Sequence, residues 1–523
     1  MQISQEHFGV IYSGYPKDED FYRVVHALGG TVSRYPGGTM TERDLEVYDV
    51  GRDEPFDPTY LFADDRERDR TTFSEYLQLA ATQLTPHIIM PTARYVDDVT
   101  EAYQDAETLV QSVIASGVTK VRIEIGNEYY ALDELSAASY GEIASLLVQR
   151  FSDLEAEYSQ LDIEIVVQLG KTEGDNLDIL ASFGSIVGSL VDGLVFHAMP
   201  INLNNLYLNS AVVGSNYAHR FELVDSMFGD WLEAFGGRQE LHMSAWAVGA
   251  PISDLTETDL SFQDYGARGA VTALATFAGA IAIGVESSSV WGAGVSNLNT
   301  LGEVVDGEVQ LSHVGLIYSE LQNSVVGYSY IGNSSILIDF EDSLEPIILP
   351  FMAPGQAVLY LVAPPGTFNL HVSAVLAQWL PQAGSADISI DSVRRITTSW
   401  EDGYIPTHGS EDRLHELASL VASDEFQFDE GRFEIILPRE YDIVEISLSW
   451  LLEGHEGDEV FDGTIGVNRT AGLGGDDEIF GRGGNDILLG GPGNDLLTGD
   501  DGDDLLIGDE LGPIDGDFAM FFS

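Results

Sequence analysis

Residues 472–507 decide the fold of the C-terminal part of this chain and read GLGGDDEIF GRGGNDILL GGPGNDLLT GDDGDDLLI. The four segments follow one another in a nine-residue frame, and weaker copies begin at Gly454 and Gly463. Each clean copy opens with glycine, has aspartate at its sixth position and carries a large apolar residue at its eighth. So short a period predicts a parallel β-structure in which each repeat stacks on its neighbours. A flexible Gly/Asp-rich linker is the alternative, and four in-register copies disfavour it.

The aspartates and apolar residues of the repeats predict a calcium-binding coil. Carboxylate oxygens are hard ligands that suit Ca²⁺, and without the ion their mutual repulsion leaves such a segment unfolded. The pattern resembles the repeat-in-toxin (RTX) motif G-G-x-G-x-D-x-U-x, where U is a large apolar residue. That resemblance implies a parallel β-roll with two repeats per turn and Ca²⁺ between successive turns. The predicted metal ligands are Asp477, Asp486, Asp495 and Asp504; the inward-facing apolar residues are Ile479, Leu488, Leu497 and Leu506.

The composition restricts the partners of the protein. The 523 residues include 86 acidic and 23 basic side chains, a formal net charge of −63. Such a surface repels nucleic acid and anionic lipid, so neither is expected as a partner. Cysteine is absent, which excludes disulfides and thiolate chemistry. The apolar segment 266–285 is rich in Gly and Ala and is predicted to be a buried helix, so no membrane span is expected.

The two ends of the chain predict export. Residues 1–7 contain neither a basic start nor an apolar run, and therefore do not read as a secretory signal peptide. Residues 512–523 are acidic and then apolar, which resembles the uncleaved signal of RTX proteins secreted by the type I route. We therefore expect a secreted, extracellular protein that uses type I secretion machinery.

Residues 1–324 are predicted to form a (β/α)₈ barrel. Segments typical of strands alternate there with amphipathic helical segments, as in a parallel barrel. A doubly wound open sheet is the rival, and the absence of G-x-G-x-x-G after the first strand disfavours it. The predicted strands are 8–13, 31–35, 87–91, 120–125, 163–169, 193–198, 241–247 and 285–291; the predicted helices are 19–28, 99–116, 139–158, 177–190, 217–235 and 265–283.

Two motifs follow predicted strands. The fourth strand leads into EIGNE, which contains Asn127 and Glu128, and the second ends in RYPGGT, which begins at Arg34. In a barrel, chemistry lies at the carboxyl ends of strands. Together the motifs resemble those of clan A glycoside hydrolases, in particular arabinofuranosidase-like and heparanase-like members. The resemblance spans roughly residues 7–325 and implies a polysaccharide or other glycan as substrate.

The resemblance also implies roles for individual residues. Glu128 corresponds to the general acid/base, and Asn127 to the residue that hydrogen-bonds the sugar hydroxyl beside the reacting carbon. Arg34 corresponds to the residue that orients the carboxylates from below. Aromatic rings match the C–H face of a sugar, so they are candidates for stacking on the substrate. His197 is expected in the barrel interior or the cleft rather than as a metal ligand. The full set of predicted substrate-binding residues is Arg34, Tyr129, His197, Trp246 and Trp291.

The sequence departs from the resembling family at Ala245. A retaining hydrolase needs two carboxylates about 5–5.5 Å apart, and Ala245 occupies the position where the nucleophilic glutamate is expected. The chain is then a natural pseudo-enzyme, a variant from which the nucleophile was removed, or an enzyme with another carboxylate. Glu173 is a candidate for that carboxylate through an inverting route, whereas Glu286 starts a strand and lies toward the wrong end of the barrel.

Residues 325–452 change to short alternating apolar segments separated by Pro and Gly, which predicts an antiparallel β-sandwich. The expected fold class is therefore multidomain α/β plus all-β. The predicted domains are a barrel (1–324), a sandwich (325–452), a β-roll (453–511) and a secretion tail (512–523). The leading functional hypothesis is a secreted glycoside hydrolase-like protein. The alternative is a non-catalytic carbohydrate-binding, matrix or adhesion protein stabilised by calcium.

Overall fold

The fold is described from a computed structural model of the chain. The residues that it describes are 1–11, 19–35, 73–96, 99–131, 135–199, 210–248, 267–293, 301–331, 347–362, 366–371, 388–398, 418–422, 427–429, 432–437 and 442–508. The predicted secretion tail and residues 36–39 of the arginine motif lie outside these ranges.

Eight parallel strands close into a barrel, so the predicted barrel is confirmed and the open sheet is wrong. Each strand pairs with the next in chain order, and β1 also pairs with β8, which removes both sheet edges. Short apolar runs favour strands buried on both faces. The strands are β1 (Gly9–Ile11), β2 (Thr31–Tyr35), β3 (His87–Met90), β4 (Lys120–Ile125), β5 (Asp162–Gln168), β6 (Gly193–Ala198), β7 (Glu240–Trp246) and β8 (Val285–Val290).

Helices follow the strands and bury an apolar stripe against the barrel. In the longest well-capped one, the side chain of Ser136 accepts a hydrogen bond from the N–H of Ser139, which satisfies a free donor of the first turn. The helices are α1 (Glu19–Ala27), α2 (Phe73–Ala80), α3 (Val99–Ala115), α4 (Ala137–Glu157), α5 (Glu173–Ala181), α6 (Ser185–Gly188), α7 (Ser210–Phe235), α8 (Ala267–Ala282) and α9 (His313–Val325).

Residues 267–282 of the predicted helical segment form α8, which packs against the barrel. Phe277 and Ala278 are buried there, and Phe277 stacks on Phe8 with ring centroids 5.1 Å apart. Among the described residues, none of the helices has both the length and the apolar character of a membrane span.

Antiparallel sheets follow the barrel, as the all-β prediction requires. A six-stranded sheet has the order β11-β12-β13-β19-β15-β16, a three-stranded sheet the order β14-β18-β17, and β9 and β10 form a hairpin before α9. The strands are β9 (Gly302–Val305), β10 (Glu308–Leu311), β11 (Ser329–Tyr330), β12 (Ile347–Ala353), β13 (Gln356–Val362), β14 (Gly366–His371), β15 (Ser389–Thr398), β16 (Ala418–Ala422), β17 (Gln427–Asp429), β18 (Arg432–Leu437) and β19 (Ile443–Ser449).

A buried ion-pair network joins the barrel to the six-stranded sheet. Arg394 on β15 contacts Glu320 on α9 at 2.7 Å and also pairs with Glu445 on β19. Tyr360 donates a further hydrogen bond of 2.8 Å to Glu445. Because Glu445 is fully buried, these partners compensate the cost of removing its charge from water.

The repeats coil into two parallel sheets. The order is β20-β22-β24-β26 in one sheet and β21-β23-β25 in the other. Residues 18 apart pair, as Ile479 does with Leu497, so two nine-residue repeats make each turn, as predicted. The strands are β20 (Leu452–His455), β21 (Val460–Asp462), β22 (Arg469–Leu473), β23 (Glu478–Phe480), β24 (Ile487–Leu489), β25 (Leu496–Thr498) and β26 (Leu505–Ile507).

Candidate active site and calcium sites

A sharp backbone turn at the end of β4 directs Asn127 and Glu128. Gly126 has φ +79°, and a Cβ atom there would lie 2.5 Å from the ring of Tyr140, so glycine is required on both counts. Glu128 itself has φ +50°, a left-handed conformation that costs a non-glycine residue about 1 kcal/mol or more. Residues held in such conformations cluster at functional sites.

Arg34, at the end of β2, connects the arginine motif to the EIGNE motif. Its guanidinium donates two hydrogen bonds to Glu124, of 2.8 and 2.7 Å, and one of 2.8 Å to Oδ1 of Asn127. Both Arg34 and Asn127 are fully buried. The planar fork of arginine matches a carboxylate, and it fixes the side chain of Asn127 at the same time.

Glu124 is the centre of this network, and the sequence interpretation missed it. Its carboxylate lies on β4 and meets side chains from β2, β3, β5, β6 and β7. Burial by itself would raise the pKa of Glu124, but the charge of Arg34 and hydrogen bonds from His197 and His87 hold it well below its usual range. The carboxylate oxygens of Glu124 contact Arg34, His87 Nε2 (2.9 Å), Gln168 Nε2 (3.4 Å), His197 Nε2 (3.6 Å) and Ser244 Oγ (3.3 Å).

His197, on β6, connects Glu124 to Glu128. Its Nδ1 donates to Oε1 of Glu128 at 3.0 Å, and the side chain of Glu128 is 20 % exposed whereas that of His197 is 3 % exposed. Burial alone would lower the pKa of His197, yet the hydrogen bonds to Glu124 and Glu128 outweigh it and raise this pKa above 6.5. The structure therefore brings Glu128 to the open side of a buried charged network.

Ala245 lies beside this network. It pairs with His197 in the register of β6 and β7 and is 2 % exposed. Its neighbour Ser244 donates a hydrogen bond to Glu124. Where the resemblance predicts a nucleophilic carboxylate, this strand thus offers a methyl group. Glu173 is exposed at the start of α5.

Two of the aromatic residues predicted to bind substrate, Tyr129 and Trp246, are buried. Tyr129 is 2 % exposed and stacks on Tyr140 with centroids 4.5 Å apart. Trp246 is fully buried, 6.0 Å from the ring of Tyr318. In both cases the ring face is already covered by the core. Trp291 is half-buried beyond β8, so its predicted contact with sugar stays a prediction.

An aromatic residue that the sequence interpretation passed over adjoins Glu128. Tyr130 is half-buried, and Nζ of the exposed Lys171 lies 5.6 Å from its ring centroid. Its position directly after Tyr129 was the available signal, because one of two adjacent rings faces outward where the other is buried.

A second carboxylate cluster lies at the opposite end of the barrel. Candidate ligand atoms of Glu164, Glu240 and His242 lie within 4.8 Å of one another. However, Arg122 donates to Glu164 at 2.6 Å, so a fixed cation already occupies the position of a metal. Burial lowers the pKa of His242 to about 3, which keeps its ring neutral. This end of a barrel is typically structural.

The β-roll arranges its aspartates in ladders. Oδ1 of each sixth-position aspartate accepts the N–H of the residue 18 positions earlier: Asp477 does so from Glu459 (2.9 Å) and Asp495 from Asp477 (3.0 Å). Glycine opens each repeat because a Cβ at Gly472 would collide with Oδ2 of Asp477. The backbone thus holds one oxygen of each carboxylate and orients the other.

The second oxygens of these aspartates fit calcium. Oδ2 atoms of Asp477, Asp486 and Asp504 are buried without a hydrogen-bond partner in the described part of the chain. An uncompensated buried carboxylate oxygen is costly, and a hard cation bound between coils removes that cost. Asp495 is only half-buried.

Comparison with known families agrees with this geometry. The model of the RTX calcium-binding nonapeptide repeat (4 copies) matches residues 462–497 and 480–510. Residues 462–510 are RTX repeats. These repeats bind calcium, and RTX repeats are typical of secreted proteins. No curated protein matches the chain.

The barrel and the following sheets resemble solved glycosidase structures. A family 51 alpha-L-arabinofuranosidase from Bifidobacterium longum has a TM-score of 0.58 at 14 % identity, covering 86 % of this chain and 96 % of that one. An alpha-L-arabinofuranosidase from Thermotoga maritima, solved with arabinose, gives 0.57 at 12 %, covering 85 % and 97 %. The family 51 enzyme from Xanthomonas axonopodis pv. citri gives 0.54 at 14 %, covering 86 % and 97 %. At such identities the likeness establishes the fold alone, a closed eight-stranded barrel followed by antiparallel sheets.

Proposed function

We propose that this chain is an exported, calcium-stabilised glycoside hydrolase-like protein that acts on an extracellular polysaccharide or glycoconjugate. Glu128 is its proton donor, Asn127 binds a sugar hydroxyl, and Arg34 holds both motifs together. The observation that carries the proposal is the contact of Glu128 with His197 above the buried pair Arg34–Glu124, at the carboxyl ends of the barrel strands. Active sites of this fold lie at that end.

The second candidate is a non-catalytic carbohydrate-binding or matrix protein, and Ala245 favours it. A methyl group cannot attack an anomeric carbon, so the retaining route is closed unless another carboxylate acts. In this alternative the same cleft binds the glycan without cleaving it.

Glycan hydrolysis and binding separate these candidates. A panel of polysaccharides and aryl glycosides is assayed in excess Ca²⁺ with the chain itself, Ala245→Glu, Glu128→Gln and the exposed control Glu286→Gln. Activity of the chain itself that Glu128→Gln abolishes and Glu286→Gln retains supports hydrolysis. Activity that appears only in Ala245→Glu, with glycan binding by the chain itself, supports the binding protein. If no variant cleaves a glycan or binds one in calorimetry, both candidates are contradicted.

Export is proposed from the repeats and the tail at 512–523. Cytosolic calcium is too low for sites of about 10⁻⁴–10⁻³ M affinity, so the roll would fold only outside the cell. We expect cells that carry type I machinery to release the full chain, and a chain ending at residue 511 to be retained. Equal release of both would contradict the role of the tail.

A further inference from the structure

The donors around His197 determine its charge. Nη2 of Arg34 has two N–H groups, and these are directed to Oε1 of Glu124 (2.7 Å) and Oδ1 of Asn127 (2.8 Å). Nη2 also lies 3.3 Å from Nε2 of His197, but no proton remains for that contact. Nε2 of His197 is therefore not an acceptor for Arg34.

The acceptors around His197 are two carboxylates. Nδ1 faces Glu128 at 3.0 Å, and Nε2 faces Glu124 at 3.6 Å. Among the described residues, Gln168, whose amide nitrogen is 3.4 Å from Nε2, is the donor available to a neutral ring. This one long amide contact competes with two carboxylates, and the charge of Arg34 opposes protonation of the ring. From β7, the register partner is the uncharged Ala245.

We propose that His197 is an imidazolium held between Glu124 and Glu128, and that Glu124 is a positioning residue that fixes this charge. The carboxylate of Glu124 is buried and enclosed by side chains from five other strands. It acts through His197, whose charge stabilises the carboxylate form of Glu128. The proton of the resting site is then stored on Nδ1 of His197.

The consequence for chemistry rests on the proposed role of Glu128 as proton donor. The proton on Nδ1 of His197 first moves to Oε1 of Glu128 across the 3.0 Å contact, which converts Glu128 from the carboxylate to the neutral acid. Glu128 then passes this proton to the leaving oxygen, while water replaces that oxygen on the anomeric carbon and releases a proton to solvent. His197 becomes neutral and keeps its Nε2–H toward Glu124. Activity therefore requires protonated His197 and is lost as the pH rises through the pKa of His197.

The test measures the charge of His197 directly. Histidine labelled with ¹³C and ¹⁵N is titrated by NMR in excess Ca²⁺, and the His197 signal is assigned by its loss in His197→Asn. In the native chain we expect His197 to titrate above its ordinary value of about 6.5. Glu124→Gln should lower that pKa by about 1–3 units. The matched control is Glu164→Gln, which removes another arginine-paired carboxylate, 11 % exposed, and should leave the pKa of His197 unchanged.

Each result is decisive. Titration of native His197 below about 6.5, or an equal shift in the control, overturns the proposal. If Glu124→Gln does not fold, Glu128→Gln removes the more exposed carboxylate, and an unchanged His197 pKa in that variant also overturns it. For an active chain, the alkaline limb of the pH–rate profile should move with the NMR value. The expected NMR shift in a chain inactive toward every glycan supports the charge relay and contradicts only the hydrolytic function.

Discussion

Ala245 lies directly opposite His197 in the pairing of β6 with β7. A side chain introduced at Ala245 therefore enters the surroundings of a histidine whose pKa is raised by two carboxylates, against the effect of burial. This relationship makes position 245 a reporter of the charge on His197 as well as the expected place of a nucleophile.

Ala245→Glu is expected to depend on pH, whereas Ala245→Gln is not. Both add volume at a site that is 2 % exposed, and overpacking costs about 1–3 kcal/mol. Near pH 6, protonated His197 compensates the new carboxylate, so the two variants should unfold at similar urea concentrations. Above the pKa of His197, where its ring is neutral, the Glu variant should be less stable by a further amount of about 1–3 kcal/mol, the cost of an uncompensated buried group. An equal gap at both pH values would contradict this expectation.

Arg34→Met should be among the most destabilising substitutions of the barrel. It leaves the buried charge of Glu124 without its main partner, a loss of about 3–5 kcal/mol. Urea denaturation in excess Ca²⁺ measures the free energy of unfolding. The double variant Arg34→Met/Glu124→Leu removes both charges and should recover much of the loss. If the double variant is less stable than the single one, the ion pair is not the cause.

Gly126→Ala should destabilise the protein more than Gly117→Ala. Both glycines have positive φ, +79° and +83°, but a Cβ at Gly126 would meet Tyr140 at 2.5 Å while nothing lies within 4 Å of one at Gly117. The cost of holding alanine at a positive φ, about 1 kcal/mol, is common to both variants. The steric clash should add about 1–3 kcal/mol at Gly126. Equal free energies of unfolding would show that the turn can relax around the new methyl group.

Acidification from pH 6.5 to 5 should destabilise the barrel through two buried histidines. Burial lowers the pKa of His87 to about 4 and that of His242 to about 3. Below pH 6.5 the unfolded chain binds protons that the folded chain does not, so the free energy of unfolding falls as the pH falls. Each histidine contributes at most about 1.4 kcal/mol per pH unit. His197, with its raised pKa, has the opposite sign and loses its contribution only as the pH rises.

The measurement is urea denaturation at pH 6.5 and 5 in excess Ca²⁺, with His242→Gln as the variant. The loss of stability between these pH values should be smaller in the variant by about 1–2 kcal/mol. A pH dependence as steep as that of the native chain would assign the effect to other groups.

Calcium should be required for the coils of the roll. Oδ2 of Asp486 is buried and has no hydrogen-bond partner within the part of the chain that the structure describes, and burial raises the pKa of Asp486 to about 6. Chelation is expected to unfold residues 454–508, seen as lost β-structure in circular dichroism and as new proteolytic cleavage. Asp486→Asn should raise the calcium concentration at the folding midpoint several-fold, whereas Asp501→Asn, at an exposed position, should change it little. Indifference of the native chain to chelation would contradict calcium-dependent folding.

The order of elements could be predicted from the sequence because it is written in local patterns. Alternation of apolar segments predicted the barrel, and the closing pair β1–β8 confirms it. The position of Glu124 could not be predicted in the same way. The sequence did show a charged residue, Glu124, in the interior of an apolar strand. However, the partners of Glu124 come from strands far apart in sequence, and only closure of the barrel brings them within reach.

The sequence by itself determined the nine-residue roll, the eight-stranded barrel and the neighbourhood of Arg34, Asn127 and Glu128, because periodicity and strand order are local properties. Only the tertiary structure decided that Tyr129 and Trp246 are core residues and that His197 bridges two carboxylates. Burial and charge pairing depend on which side chains converge when the barrel closes, and convergence is a property of the whole sheet.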